Sequence, residues 1–112
     1  MKIRLNPFNI DMDYSKLIPL ALIMGEKEKH IEHYPNGKKK KEGTFKDGKA
    51  DGLFTNWYES GQTSFKGTYI DGKKDGLFTW WYVNGKKEYE GTYKNGRKIS
   101  VKEWNEDGSV KQ

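Results

Sequence analysis

The sequence predicts an all-β fold, a single elongated antiparallel meander built from hairpin repeats and preceded by a short N-terminal segment. Three observations predict it. Tyr34, Tyr58 and Tyr82 stand 24 residues apart, and the same step relates Gly37, Gly61 and Gly85, then Gly43, Gly67 and Gly91, then Gly48, Gly72 and Gly96. A fixed period of this size marks one supersecondary unit stacked on copies of itself. Each unit also carries two turn signals: Asn36-Gly37, Ser60-Gly61 and Asn84-Gly85 at one end, Asp47-Gly48, Asp71-Gly72 and Asn95-Gly96 at the other. Such pairs supply the positive φ that type I′ turns and related hairpin loops require. The runs between turns are short, aromatic and β-branched, and leave no room for a crossover helix.

Residues 1–29 come first, as a separate segment. Its apolar run Leu17–Gly25 follows Lys16 and precedes Glu26-Lys27-Glu28-Lys29, the size and setting of a signal-peptide core. It is too short for the ~18–20 apolar residues that span a bilayer. Leu22-Ile23-Met24-Gly25 resembles a lipoprotein signal, yet Glu26 stands where the lipid-bearing Cys belongs. Asp11 and Asp13 precede the run, and Ile23 is not the small residue expected two positions before a cleavage site. Two readings stay open: a targeting segment of an exported envelope protein, or a helix or strand covering the first sheet edge of a cytoplasmic one.

The array is expected over 30–112, with units of about 34–57, 58–81 and 82–104 and a degenerate cap at 105–112. The first strand type runs from Gly52 to Tyr58 and from Gly76 to Tyr82; alternation puts Leu53, Thr55 and Trp57 on one face and Phe54, Asn56 and Tyr58 on the other. In the second type Phe65, Gly67 and Tyr69 share a face, as do Tyr89, Gly91 and Tyr93. A glycine between two rings leaves a gap, which a ring from the neighbouring strand is expected to fill. The third unit decays. Ser100-Val101-Lys102 stands where the pattern calls for Gly-Leu-Phe, one residue is missing before Gly108, and Trp104 takes the place of Trp81. A charged, degenerate last copy blunts an exposed sheet edge. At the front His33 occupies the Trp57 position, so the array begins near His30, giving about seven strands at ~4.8 Å spacing.

Composition is compatible with this thin architecture. Apolar and charged residues each make up 33% of the 112 residues and mean hydropathy is -1.05, values that would otherwise suggest disorder. Aromatics supply 14% and cluster at repeating positions from Tyr34 onward, and each ring buries ~150–250 Å². The net charge of +5 favours weak attraction to anionic surfaces. With no cysteine, disulfides, thiol chemistry and thiolate metal sites are excluded.

The phrase Tyr-x-Asn-Gly, followed by Gly-Thr-Phe/Tyr-x-Asp/Asn-Gly-Lys-x-Asp-Gly-Leu-Phe-Thr-x-Trp-Tyr, resembles the MORN repeat in its bacterial variant form from about Tyr34 to Gly108. The resemblance implies an elongated single-sheet meander used for protein or membrane-surface contact, and not an enzyme. Proteins of this kind are often labelled antitoxins of the YwqK type, and some related arrays are linked to phospholipid binding.

Few residues point to chemistry. His30, Glu32 and His33 are too few for a zinc site, which needs three or four convergent ligands. Asp47 to Gly52 and Asp71 to Gly76 fit no calcium-loop spacing, and hairpin turns explain them. No nucleophile elbow, paired carboxylates or phosphate loop is present, so no catalytic residue and no cofactor is expected. The candidate interaction surface comprises Lys38, Lys39, Lys40 and Lys41 with Trp57, Trp80, Trp81 and Trp104. The lysine run is expected as a two-sided basic edge. Trp80 stands out because Asn56 holds its position in the previous unit; it is either a partner hot spot or extra packing beside Phe78 and Tyr82. The expected function is a non-catalytic repeat module binding a protein partner, antitoxin-like. The alternative is an envelope module contacting anionic lipid or cell-wall polymer. Nucleic acid is not the expected partner.

Overall fold

The computed structural model describes residues 26–112; both readings of the Leu17–Gly25 run therefore lie outside the described residues. Within them the chain forms β1 (Lys27–His33), β2 (Lys39–Lys46), β3 (Lys49–Ala50), β4 (Gly52–Trp57), β5 (Thr63–Ile70), β6 (Lys73–Lys74), β7 (Gly76–Trp81), β8 (Lys87–Lys94) and β9 (Arg97–Glu103). All join one antiparallel sheet in the order β1-β2-β4-β5-β7-β8-β9, with the two-residue β3 and β6 pairing to β2 and β5. The sheet is the meander that the repeat predicts. β1 starts at Lys27, three residues ahead of the expected His30.

The two turn classes differ in geometry. At Asp47-Gly48, Asp71-Gly72 and Asn95-Gly96 both central residues have positive φ, 51° and 78° in the first pair, which defines a type I′ turn. At the opposite end Gly37 N donates to Tyr34 O at 2.9 Å and only Gly37 is left-handed, with φ 88°. This is a type I turn with Pro35 and Asn36 at its centre, closed by a glycine bulge. Asn36 Oδ1 accepts from Lys38 N at 2.8 Å, and Asn84 and Asp107 repeat that local bond.

One face carries a ladder of rings. His30, Gly43, Phe54, Gly67, Phe78, Gly91 and Val101 occupy one row across the strands. Edge-to-face contacts run from Phe45 to Phe54 (5.4 Å), Tyr69 (5.2 Å), Phe78 (5.3 Å) and Tyr93 (5.2 Å). The expected glycine gaps are filled: a Cβ at Gly43 would lie 2.2 Å from the Phe54 ring, and one at Gly67 would lie 2.4 Å from the Phe78 ring. Phe78 is consequently fully buried although the described residues form only one layer. Lys74 Nζ caps the cluster, 4.8 Å from the Tyr93 centroid and 5.2 Å from that of Phe78.

The third unit departs in an instructive way. In the first two units Asp51-Gly52 and Asp75-Gly76 are extra residues that offset the strand by two positions; in the third only Ile99 is extra. The missing residue is thus lost at this bulge, and Val101 falls opposite Gly91, where Phe78 faces Gly67. This corrects the sequence alignment, which set Val101 against Leu77. Valine cannot reach across Gly91, and Tyr89 of the same strand bends over it to place its hydroxyl 2.6 Å from that of Tyr93.

Phenol hydroxyls tie each unit to the next. Tyr34 donates to Trp57 O and Tyr82 to Trp104 O, each at 2.6 Å, and Tyr58 donates to Trp81 O. The repeating tyrosines are therefore staples between hairpin turns, not members of the ring ladder.

Candidate interaction face

The face opposite the ladder is built from the intervening residues. Cross-strand pairing places Thr44, Leu53, Thr68, Leu77, Thr92 and Ser100 in one row. A second row holds Ile31, Glu42, Thr55, Lys66, Thr79, Glu90 and Lys102. A third contains Lys39, Trp57, Thr63, Trp81 and Lys87, with Trp104 continuing it. Two strand spacings separate the tryptophans, about 10 Å.

The four candidate tryptophans therefore divide. Trp57, Trp81 and Trp104 share this face. Trp80 points to the ladder face, where its ring lies 4.7 Å from Phe65 and 5.0 Å from Tyr89. Packing accounts for Trp80, though against Phe65, Phe78 and Tyr89 and not Tyr82.

The lysine run is not an edge, because β1 pairs along β2. Lys38 lies in the turn and donates to Ser60 O at 3.2 Å; Lys39 bonds Glu42 Oε1 at 2.6 Å and sits 5.9 Å from the Trp57 centroid. Lys40 occupies a bulge over Tyr34, and Lys41 faces the ladder side, 4.0 Å from Glu32. Four consecutive lysines are thus dispersed to four environments. The hydrogen bond from Lys39 holds the Glu42 carboxyl below the usual carboxylate range.

The repeats differ most at the centre of this face. Units one and three place a Lys–Glu pair beside tryptophan, Lys39–Glu42 and Lys87–Glu90, each at 2.6 Å, with Lys39 over Trp57 and Lys87 over Trp104. In the middle unit the corresponding residues are Thr63 and Lys66. Among the described residues no carboxylate pairs with Lys66, and no lysine covers the Trp81 ring. A depression of about 360 Å³ opens there, lined by Gln62, Thr63, Lys66, Trp81 and Gly85. Leu53 and Leu77 lie farther along the same face, each 53% exposed. Thr55 and Thr79, the cross-strand partners of Lys66, are buried.

Sequence reasoning passed over Leu53, Leu77 and Lys66. The leucines read as ordinary strand residues, but Lys66 was visible as the one cation at a position that holds Glu42 and Glu90 in the other units. Among the described residues no three ligating side chains converge. His30 instead ends the ring ladder, 4.8 Å from Phe45.

The MORN repeat variant model matches residues 29–47, 50–71 and 74–95, more than half of the chain. The chain belongs to the MORN repeat variant family. Its first MORN match spans most of β1 and all of β2, the second β4 and β5, and the third β7 and β8. β9 and its shifted register fall outside the matched segments. No curated protein and no solved structure matches the chain. MORN repeats are generally modules that bind proteins or membrane lipids.

Proposed function

We propose that this MORN array is a non-catalytic docking module that takes a protein partner on its tryptophan face. The observation that carries the reading is the rectangle of Leu53, Leu77, Trp57 and Trp81, about 10 by 13 Å from strand geometry. Its leucines stay exposed although the opposite face has packed its rings away. A partly exposed tryptophan beside a depression, as at Trp81, is what interface hot spots use. The one layer formed by the described residues offers shape for recognition but little enclosure for chemistry. In the finer form of this reading the module is antitoxin-like and the partner is a toxin.

The net charge of +5 supports a second reading, contact with anionic lipid or cell-wall polymer. Site-specific photo-crosslinking separates the two. A benzophenone side chain at position 77 is expected to capture one protein, and the same probe at position 98, on the ladder face, is expected to capture none. Capture at 98 alone would contradict the proposed face. Sedimentation with phosphatidylserine vesicles, abolished by high salt, with no protein captured at 77, would favour the second reading.

A further inference from the structure

We infer that Lys66 is a carboxylate-reading centre, and that the segment docking on the tryptophan face carries an acidic side chain flanked by apolar ones. The inference rests on the docking role of that face and adds the chemistry of what binds.

Three independent departures from the repeat coincide here. The first is charge: the row that holds Glu42 and Glu90 has Lys66 at its middle. The second is loss of the internal ion pair, since Thr63 replaces Lys39 and Lys87, so the Lys66 ammonium has no carboxylate among the described residues. The third is the apolar rim. Only the middle unit has leucine on both sides, Leu53 and Leu77, because Ser100 takes that position in the third unit and Lys29 in the first.

The surroundings tune Lys66 for a partner's anion. Its cross-strand neighbours are the neutral, nearly buried Thr55 and Thr79 at 6% and 5% exposure. The Trp81 indole is not occupied by a lysine, so an apolar group can lie against it. Gln62 and Thr63, which line the same depression, supply an amide and a hydroxyl for main-chain groups of the incoming segment. In the flanking units the corresponding sites are self-satisfied. Excluding an aqueous rim around a charge pair strengthens it, while a partner with lysine at that point would meet repulsion.

A capped Leu-Ala-Glu-Ala-Leu peptide tests this directly. Extended, it sets both leucines and the glutamate on one side and spans about 13 Å. The full chain is titrated with it and with versions carrying Gln or Lys at the centre, following the Trp81 indole N–H by NMR. The Glu peptide is expected to bind about threefold to fivefold more tightly than the Gln peptide, the range of an exposed charge pair. In Lys66→Glu the order should invert in favour of the Lys peptide. Lys46→Glu, an equal charge change outside the rectangle, should keep the original order. Equal binding of all three peptides at Trp81 would overturn the carboxylate role and leave the docking face standing. Shifts of Trp80 alone, or of Trp81 with phosphatidylserine vesicles but with no peptide, would overturn both.

Discussion

Gly67 and Phe78 show how single residues stabilise a sheet whose described residues form one layer. The backbone of Gly67 has no need of a left-handed conformation, so the glycine is there for space: a Cβ would sit 2.4 Å from the Phe78 ring. Gly67→Val should therefore cost about 1–3 kcal/mol by overpacking, read as a melting temperature lower by several degrees. Gly91→Ala should cost less, because what lies near Gly91 is the movable end of Tyr89, 2.7 Å away at its hydroxyl. The tyrosine staples act at the same scale. Tyr58→Phe removes the bond to Trp81 O and is expected to lower stability by about 0.5–1.5 kcal/mol in urea unfolding. Tyr89 adds a pH dependence. Burial, with the Tyr93 hydrogen bond, pushes its phenol up from 10.0 to about 12. The neutral form is favoured by folding, so this contribution is complete below pH 10 and lost as pH rises toward 12. Unfolding free energy measured between those values should fall, and Tyr89→Phe should flatten the fall.

At the scale of the element, the hairpins were legible in the sequence because turn chemistry and alternation agree there. Asp47-Gly48 and Asn36-Gly37 each announce a turn, although only the first is type I′; the difference lies in loop length and not in Pro35, since Glu59-Ser60-Gly61 and Val83-Asn84-Gly85 make the same longer turn. Faces along each strand also followed from alternation. The bulges did not, since a two-residue offset at Asp51-Gly52 leaves the period untouched. That is why the third unit was aligned one residue out and why Val101 was not seen as the counterpart of Phe78. The register makes a further prediction. Val101→Phe alone should gain nothing, because Tyr89 already covers Gly91, whereas Val101→Phe with Tyr89→Phe recreates the Phe65–Phe78 arrangement of the middle unit. A double-mutant cycle in thermal unfolding should show favourable coupling of about 0.5–3 kcal/mol.

For the whole molecule, the two faces of one sheet do different work. The ladder face takes the rings that hold the array together, and the tryptophan face keeps two leucines exposed and leaves Lys66 without a carboxylate among the described residues. Composition revealed this only in part. The four tryptophans formed one candidate group, although alternation already set Trp80, in the Asn56 position, on the face opposite Trp57 and Trp81; the structure added the rings that Trp80 packs against. Likewise, Lys38 to Lys41 formed the most conspicuous charge run, yet β1 covers that strand and the lysines disperse. The isolated Lys66 matters more because it breaks the pattern of its row. Leu53→Ser with Leu77→Ser should leave the melting temperature within a few degrees, as exposed substitutions usually do, and abolish capture by a benzophenone side chain at position 68, which lies between them in the row.

The most direct measurement is an indole N–H spectrum of the full chain recorded with and without the protein captured at position 77. Trp81 should shift most and Trp57 next, with Trp80 unmoved behind the sheet. A spectrum in which Trp80 shifts while Trp57 and Trp81 stay in place would show that the ladder face, and not the tryptophan face, meets the partner.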